Sequence, residues 1–321
     1  MGCWNVKLKR IIMLSCILTL ILLSGCSSEQ NNNQPIKKGN GSRDNTPIVL
    51  EPQASNEKTI GNNKITFDIS HASDGYVMVK YNGSNPKVKV RILTPTGEYP
   101  YTYNVYKGYN VYPLTGGNGS YTFLAFENVS GSDYNQLFSE SLDIQIKNEY
   151  TPYLYPNQYV HYDKNSNIVK MGQELATGAD TDLDVVSYIY DYIIHNITYD
   201  DDKADQVKQG QLTDYLPNVD EILKKKTGIC FDYAAVMTAM LRTQNIPTRM
   251  TTGYVTVDGN TVFHAWLSVY IKDVGWIDDI IQFDGKNWSM MDPTFIADGN
   301  NSSTAKEFVK NKDNYITKYL Y

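Results

Sequence analysis

The spacing of apolar positions changes character several times along the chain. Residues 11–23 form a largely apolar run behind Lys7, Lys9 and Arg10. About a dozen residues is short for a bilayer span, and the basic stretch before it marks the hydrophobic region of a signal peptide. From residue 27 to about 58, Asn, Gln, Ser, Gly and Pro dominate, a composition that cannot offset its ordering entropy and predicts a flexible tether. Between about 64 and 147 the pattern becomes short alternating runs at 65–69, 76–81, 87–93, 101–106, 109–114, 121–126 and 142–146. About seven strands spaced roughly ten residues apart predict a small β-sandwich without helices.

After a connector rich in Tyr, Pro and Asn, the period turns helical. Asp182 or Asp184 can cap a helix carrying Val185, Val186, Ile189, Tyr190, Ile193 and Ile194. A second helix starts near Asn218 with Val219, Ile222 and Leu223, and a third covers Cys230 to about Gln244. Alternation returns at 249–257, 262–271, 276–283 and 288–291. Helices followed by antiparallel strands predict an α+β domain behind the all-β sandwich.

Composition narrows the function classes. In 321 residues, 41% are hydrophobic and 20% charged, which argues against a disordered chain. Lys and Arg number 29 against 35 Asp and Glu, so nucleic acid is not expected as a partner. Four cysteines cannot make a disulfide-dense scaffold. Exposed tyrosines on the sandwich strands would suit sugar or protein contacts, but β-propensity alone accounts for many of them.

Leu23-Ser24-Gly25-Cys26 resembles the lipobox of bacterial lipoproteins. That resemblance implies cleavage before Cys26, lipidation of its thiol, and a protein held at the cell membrane facing the extracytoplasmic side. An uncleaved anchor helix is the alternative. Cleavage removes Cys3 and Cys16, leaving Cys26 for the lipid and Cys230 free, so no intrachain disulfide is expected. The mature chain is more acidic still, so anchoring rests on acyl chains and not on anionic headgroups. The expected organisation is signal peptide 1–25, lipidated Cys26 and tether 26–59, sandwich 60–148, connector 149–182 and catalytic domain 183–321.

Cys230 carries the first sign of chemistry. It begins an almost wholly apolar helix, which a central position in the fold explains, and the partial positive charge of a helix N-terminus favours a thiolate. A buried small hydrophobe is the other reading of a lone cysteine. Among the histidines, His71 belongs to the sandwich, His161 to the connector, and His195 to a helix end, where it complements the dipole. His264 lies in an alternating strand, on the face opposite Phe263, Ala265, Leu267 and Val269. A third group must hold its ring, and Asp292, before Pro293-Thr294, is suitably placed. Asp279 could compete but lacks the following Pro-Thr. No Cys-x-x-Cys or His-Glu-x-x-His spacing points to a metal.

The runs Gly228-Ile229-Cys230-Phe231-Asp232-Tyr233-Ala234, Ile246-Pro247-Thr248-Arg249, Gly253-Tyr254, His264-Ala265-Trp266, Trp288 and Asp292-Pro293-Thr294 resemble the transglutaminase-like core, whose Cys-His-Asp geometry is shared with papain-like thiol proteases. The resemblance spans about 183–296. It implies Cys230 as nucleophile, His264 as general acid/base and Asp292 as orienting carboxylate, with no cofactor and no calcium site carried over. By the same resemblance, Tyr215 is the candidate side-chain donor to the oxyanion, beside the backbone N–H of Cys230. Tyr199 is read as structural. Leu267-Ser268 replaces the Asn-Glu common after His-Ala-Trp. Residues 277–286, with Asp278, Asp279 and Asp284, lengthen the His264–Asp292 interval and predict a hairpin.

The implied activity is attack on an amide carbonyl, in a peptide or a Gln side chain, through a thioester. Water as acceptor gives a peptidase or amidase, the favoured outcome. A lysine amine gives a transglutaminase that cross-links surface proteins. A non-catalytic surface binding or adhesion module is the third reading. The substrate would be a protein or peptide outside the cell, peptidoglycan peptides included.

Overall fold

The computed structural model describes residues 38–97, 100–257, 260–283, 288–290 and 315–321. Their first part holds eight strands: β1 (Thr59–Gly61), β2 (Ile65–Asp68), β3 (Tyr76–Tyr81), β4 (Val88–Leu93), β5 (Tyr101–Asn104), β6 (Tyr109–Pro113), β7 (Gly119–Ser130) and β8 (Asp133–Ile144). They form two antiparallel sheets, ordered β1-β2-β3-β6 and β5-β4-β7-β8. Alternation does what the sequence predicts: Val88, Val90 and Ile92 point inward from β4, while Arg91 and Leu93 stay exposed. Phe67 and Phe123 meet between the sheets with ring centroids 5.7 Å apart.

β3 breaks the pattern, burying Tyr76, Val77, Met78 and Val79 in succession. Its outer face is covered as well: the Tyr76 ring lies 4.5 Å from that of Tyr155, and its hydroxyl accepts the N–H of Gln53 at 3.1 Å. Tyrosine is core material in this sandwich, with Tyr103, Tyr112 and Tyr121 fully buried.

The second part is α+β: α1 (Asn167–Ala176), α2 (Asp182–Asn196), β9 (Thr198–Tyr199), α3 (Asp201–Lys208), α4 (Val219–Lys225), β10 (Thr227–Gly228), α5 (Cys230–Thr243), then β11 (Thr248–Val257), β12 (Asn260–Ile271), β13 (Gly275–Phe283), β14 (Trp288–Met290) and β15 (Tyr315–Leu320). A capping box starts α2: Thr181 Oγ1 accepts the Asp184 N–H, and the Asp184 carboxylate accepts the Thr181 N–H at 2.8 Å. Asn218 caps α4 as predicted. α5 is buried along nearly its whole length, packed against α1, α2 and α4 on one side and β11 and β12 on the other. The sheet is ordered β14-β13-β12-β11-β15, and the expected hairpin appears as β13 and β14. No helix among the described residues is long and apolar enough to cross a membrane.

Two expectations change. The connector contains α1, whose Gly172 lies so close to α5 that a Cβ would stand 3.2 Å from Thr243 Oγ1 and 3.3 Å from the Met240 carbonyl oxygen. The stretch expected to end a flexible tether is docked from residue 38 onward. Asp180 accepts the Asn40 N–H and both the N–H and hydroxyl of Ser42. Arg43 pairs with Asp182 at 2.7 Å and donates to the Gln244 carbonyl, and the Ile48 N–H reaches the Thr243 carbonyl at 2.8 Å. Polar composition here reflects an arm held by hydrogen bonds instead of by apolar burial. Residues 1–37, with the expected signal peptide and Cys26, lie outside the described residues.

The sandwich and the α+β part meet along a seam of rings. Tyr321 lies 5.7 Å from Tyr101, 6.1 Å from Tyr103 and 4.4 Å from Tyr159. The Leu320 backbone bonds the Tyr101 hydroxyl at 3.0 Å and Thr115 Oγ1 at 2.9 Å. Arg249 stacks its guanidinium on Trp276 at 3.5 Å and faces Tyr153 at 4.9 Å.

Candidate active site

Cys230 is the first residue of α5, reached through the short β10. Gly228 is required there by packing: a Cβ would fall 2.6 Å from that of Asp232. Cys230 is a free, half-buried cysteine, and the backbone N–H groups of Ala265 and Phe231 act on its sulfur to lower the thiol. These contacts and the helix N-terminus favour the thiolate, but enclosure by the surrounding residues outweighs them and pushes the thiol up to about 11. At neutral pH the unliganded site therefore holds a thiol, where the helix position alone predicts a thiolate.

His264 sits on β12 opposite Gly253 of β11. It is 6% exposed, its Nε2 has no hydrogen-bond partner among the described residues, and burial pushes it down to about 4. The ring lies nearly parallel to that of Trp266, at 6.2 Å and 21°. Both faces of β12 are covered at this point, since His264, Ala265, Trp266 and Leu267 are all buried, whereas Phe263 just before them is exposed. The peptide that follows His264 thus acts on the Cys230 sulfur. At neutral pH the cysteine is a thiol and the imidazole is uncharged.

The expected third member, Asp292, lies outside the described residues. β13 stands between β12 and the β14 strand that leads toward it.

Tyr215 comes to the site in a different posture from the expected one. Its hydroxyl donates to Asp232 Oδ1 at 2.5 Å and accepts from Lys203 Nζ at 2.5 Å. Asp232 has no solvent exposure; Lys203 Nζ donates to its Oδ2 at 2.6 Å and the Ile229 N–H does so at 2.9 Å. The cluster ties α3 and the segment before α4 to the first turn of α5, two residues from the nucleophile. Sequence reasoning quoted Asp232 without a role and passed over Lys203. The signal was available: a carboxylate inside an apolar helix demands a cationic partner. Tyr199 is half-buried on β9, and its phenol is raised by desolvation and then by the Cys230 charge.

Residues 169–278 match the family model of the transglutaminase-like superfamily. This segment is a transglutaminase-like domain. The match runs from α1 through α5, β11 and β12 into β13. No curated protein matches the chain in sequence. Solved structures similar to it include the "Putative Cysteine Protease" from Cytophaga hutchinsonii, at 15% identity and a TM-score of 0.38, over 77% of this chain and 79% of that one. Red sea bream transglutaminase is similar at 12% identity and a TM-score of 0.29, over 78% of this chain and 53% of its own. The "Putative Protease" from Parabacteroides distasonis is similar at 10% identity and a TM-score of 0.28, over 58% of this chain and 36% of its own. The transglutaminase-like domain and the strand-rich region before it together make the α+β architecture described above.

Proposed function

We propose that the protein is a thiol enzyme that attacks amide carbonyls, with Cys230 as nucleophile, His264 as general acid/base and Asp292 as the orienting carboxylate. The observation that supports this reading is Cys230 at the start of a buried helix, with the backbone N–H of Ala265, the residue after His264, acting on its sulfur to favour the thiolate. His264 takes the thiol proton as sulfur bonds to the carbonyl carbon, and the oxyanion forms beside the N–H groups that open α5. The C–N bond then breaks, and the amine leaves with the proton that His264 held. Water, deprotonated by the same imidazole, hydrolyses the thioester and restores the thiol.

Water needs no second substrate subsite, which favours a peptidase or amidase over a cross-linking transglutaminase. The substrate in this reading is a protein or peptide outside the cell, peptidoglycan peptides included, reached by an enzyme lipidated at Cys26. The lipobox-like Leu23-Ser24-Gly25-Cys26 supports that placement.

The test incubates the full chain, and its Cys230→Ala variant, with β-casein and dansylcadaverine. New α-amino groups, or ammonia released without dansyl incorporation, mark a hydrolase. Dansyl incorporation with release of ammonia marks a transglutaminase. Neither product, in protein that folds, leaves the binding module. Loss of detergent-phase partition in Cys26→Ala tests the anchor.

A further inference from the structure

We infer that the cleft between the sandwich and the transglutaminase-like domain is a subsite for an aromatic side chain of an extended polypeptide substrate, walled in part by the residues that flank Cys230 and His264 in the chain. The inference rests on the reading of Cys230 and His264 as the reacting pair and names what that pair would select. The cavity measures about 300 Å³, enough for one large side chain and its adjoining peptide and too little for a folded surface.

Its walls are the chain neighbours of the reacting groups. Phe231 follows Cys230, Phe263 precedes His264, and Thr252 is paired across the sheet with Ala265, whose N–H acts on the sulfur. Rings continue the lining with Tyr159, Tyr319 and Tyr321. Phe231 and Tyr159 stand 5.7 Å apart, and Tyr159 and Tyr321 4.4 Å apart. Such spacings leave ring faces and edges available to a further ring.

The outer end is unusually apolar for a surface. Phe263 is 57% exposed and meets Tyr254 edge-on at 5.6 Å. The inner wall contains one polar group in need of a partner: Thr252 is 2% exposed, and its hydroxyl has no hydrogen bond among the described residues. An incoming phenol or peptide group would supply one.

The sandwich completes the cleft with Lys89, Thr102 and Asn104. Asn104 Nδ2 donates to Asp214 Oδ1 at 3.1 Å. That bond fixes Asp214, which has a positive φ of 56°, against the sandwich and shapes the wall that Tyr215 and Leu216 continue. The sandwich is then part of the substrate site and not merely a spacer.

The experiment compares labelling of Cys230 in the full chain by iodoacetamide, N-propyl iodoacetamide and N-benzyl iodoacetamide. Adducts are counted on the Cys230 peptide by mass spectrometry, and each rate is divided by that with free glutathione. The expected result is a saturable benzyl rate at least tenfold above the propyl rate. The benzyl-to-propyl ratio should fall toward one in Phe263→Ala, which removes a wall, and in Thr102→Trp, which fills the cavity from the sandwich side. Equal benzyl and propyl rates in the parent chain, or a ratio that survives both variants in folded protein, overturns the inference. Failure of the enzyme reading shows separately, as iodoacetamide labelling of Cys230 that is indifferent to His264→Ala.

Discussion

The backbone N–H of Ala265 acts on the sulfur of Cys230 to favour its thiolate, so the peptide that follows His264 lies close to the candidate nucleophile. With the thiol up at about 11 and the imidazole down at about 4, the resting pair is uncharged. Only on the order of one thiol in 10⁴ is ionised at pH 7. The rate of Cys230 alkylation by iodoacetamide should therefore climb steadily from pH 6 to pH 10, without a plateau below the ordinary thiol value of about 8.5. Peptide mapping across that range checks it. An inflection near pH 6 would mean a preformed thiolate–imidazolium pair and would sink the neutral resting state.

The same two groups shape stability against pH. Folding keeps His264 neutral, whereas the unfolded chain binds a proton below 6.5, so stability falls as pH drops from 6.5 to about 4. A shift of that size corresponds to roughly 3 kcal/mol. Cys230 acts on the other flank: the unfolded thiol ionises above 9.0 and the folded one at about 11, so stability falls as pH rises through that interval. Urea midpoints from pH 4 to 11 should show a plateau between. His264→Ala should flatten its acid side and leave the alkaline side in place.

Tyr215, Lys203 and Asp232 separate positioning from catalysis. Lys203→Met leaves a buried carboxylate without its cation and should cost about 3–5 kcal/mol. Tyr215→Phe removes one hydrogen bond to that carboxylate, about 1.5–3 kcal/mol. If the tyrosine only holds Asp232, kcat on an amide substrate should stay within about tenfold of the parent; a transition-state donor would cost on the order of 10²–10³. Thermal melts read beside kcat distinguish the two roles.

Arg242 is fully buried in α5 and bonds only carbonyls: those of Thr248, Tyr155 and Tyr321. Burial lowers it to about 10, still charged at neutral pH. Arg242→Met should destabilise by about 3–5 kcal/mol, because three buried acceptors lose their donor. Arg242→Lys should recover little, since one ammonium cannot reproduce the guanidinium's fan of donors. Chemical denaturation of both variants tests this.

Asp180 gathers three donors from residues 40 and 42. Asp180→Ala should speed hydrogen exchange of the amides at 39–43 by at least about tenfold and leave those of α5 unchanged, as expected for local release of an arm. Unchanged exchange at 39–43 would count against its docking.

Period and caps disclosed much of this architecture. Most of β2 to β7 were visible because they present one face to a core, and α2, α4 and α5 because their apolar stripes follow recognisable starts. α3 was not, since none of its residues is buried; its hold on the fold is Lys203, whose partner lies 29 positions away. α1 was obscured by Gly172, which reads as a breaker until α5 is seen against it. β15 pairs with β11 across a long interval, and no local pattern specifies that neighbour. Cys230 and His264 were legible as candidates from their flanking motifs. The posture of Tyr215 was not, because a hydroxyl's partner depends on a carboxylate that only folding brings near.

The ring seam around Tyr321 has a consequence for selectivity. Edge-on and tilted rings and the Leu320 hydrogen bonds weld two layers that a loose linker would let swing apart, so the gap between them keeps its width. On the proposed reading, a slot of this kind does not widen around a globular target. A substrate would have to enter already thin, and its own local unfolding, not a motion of this protein, would decide which bond reacts.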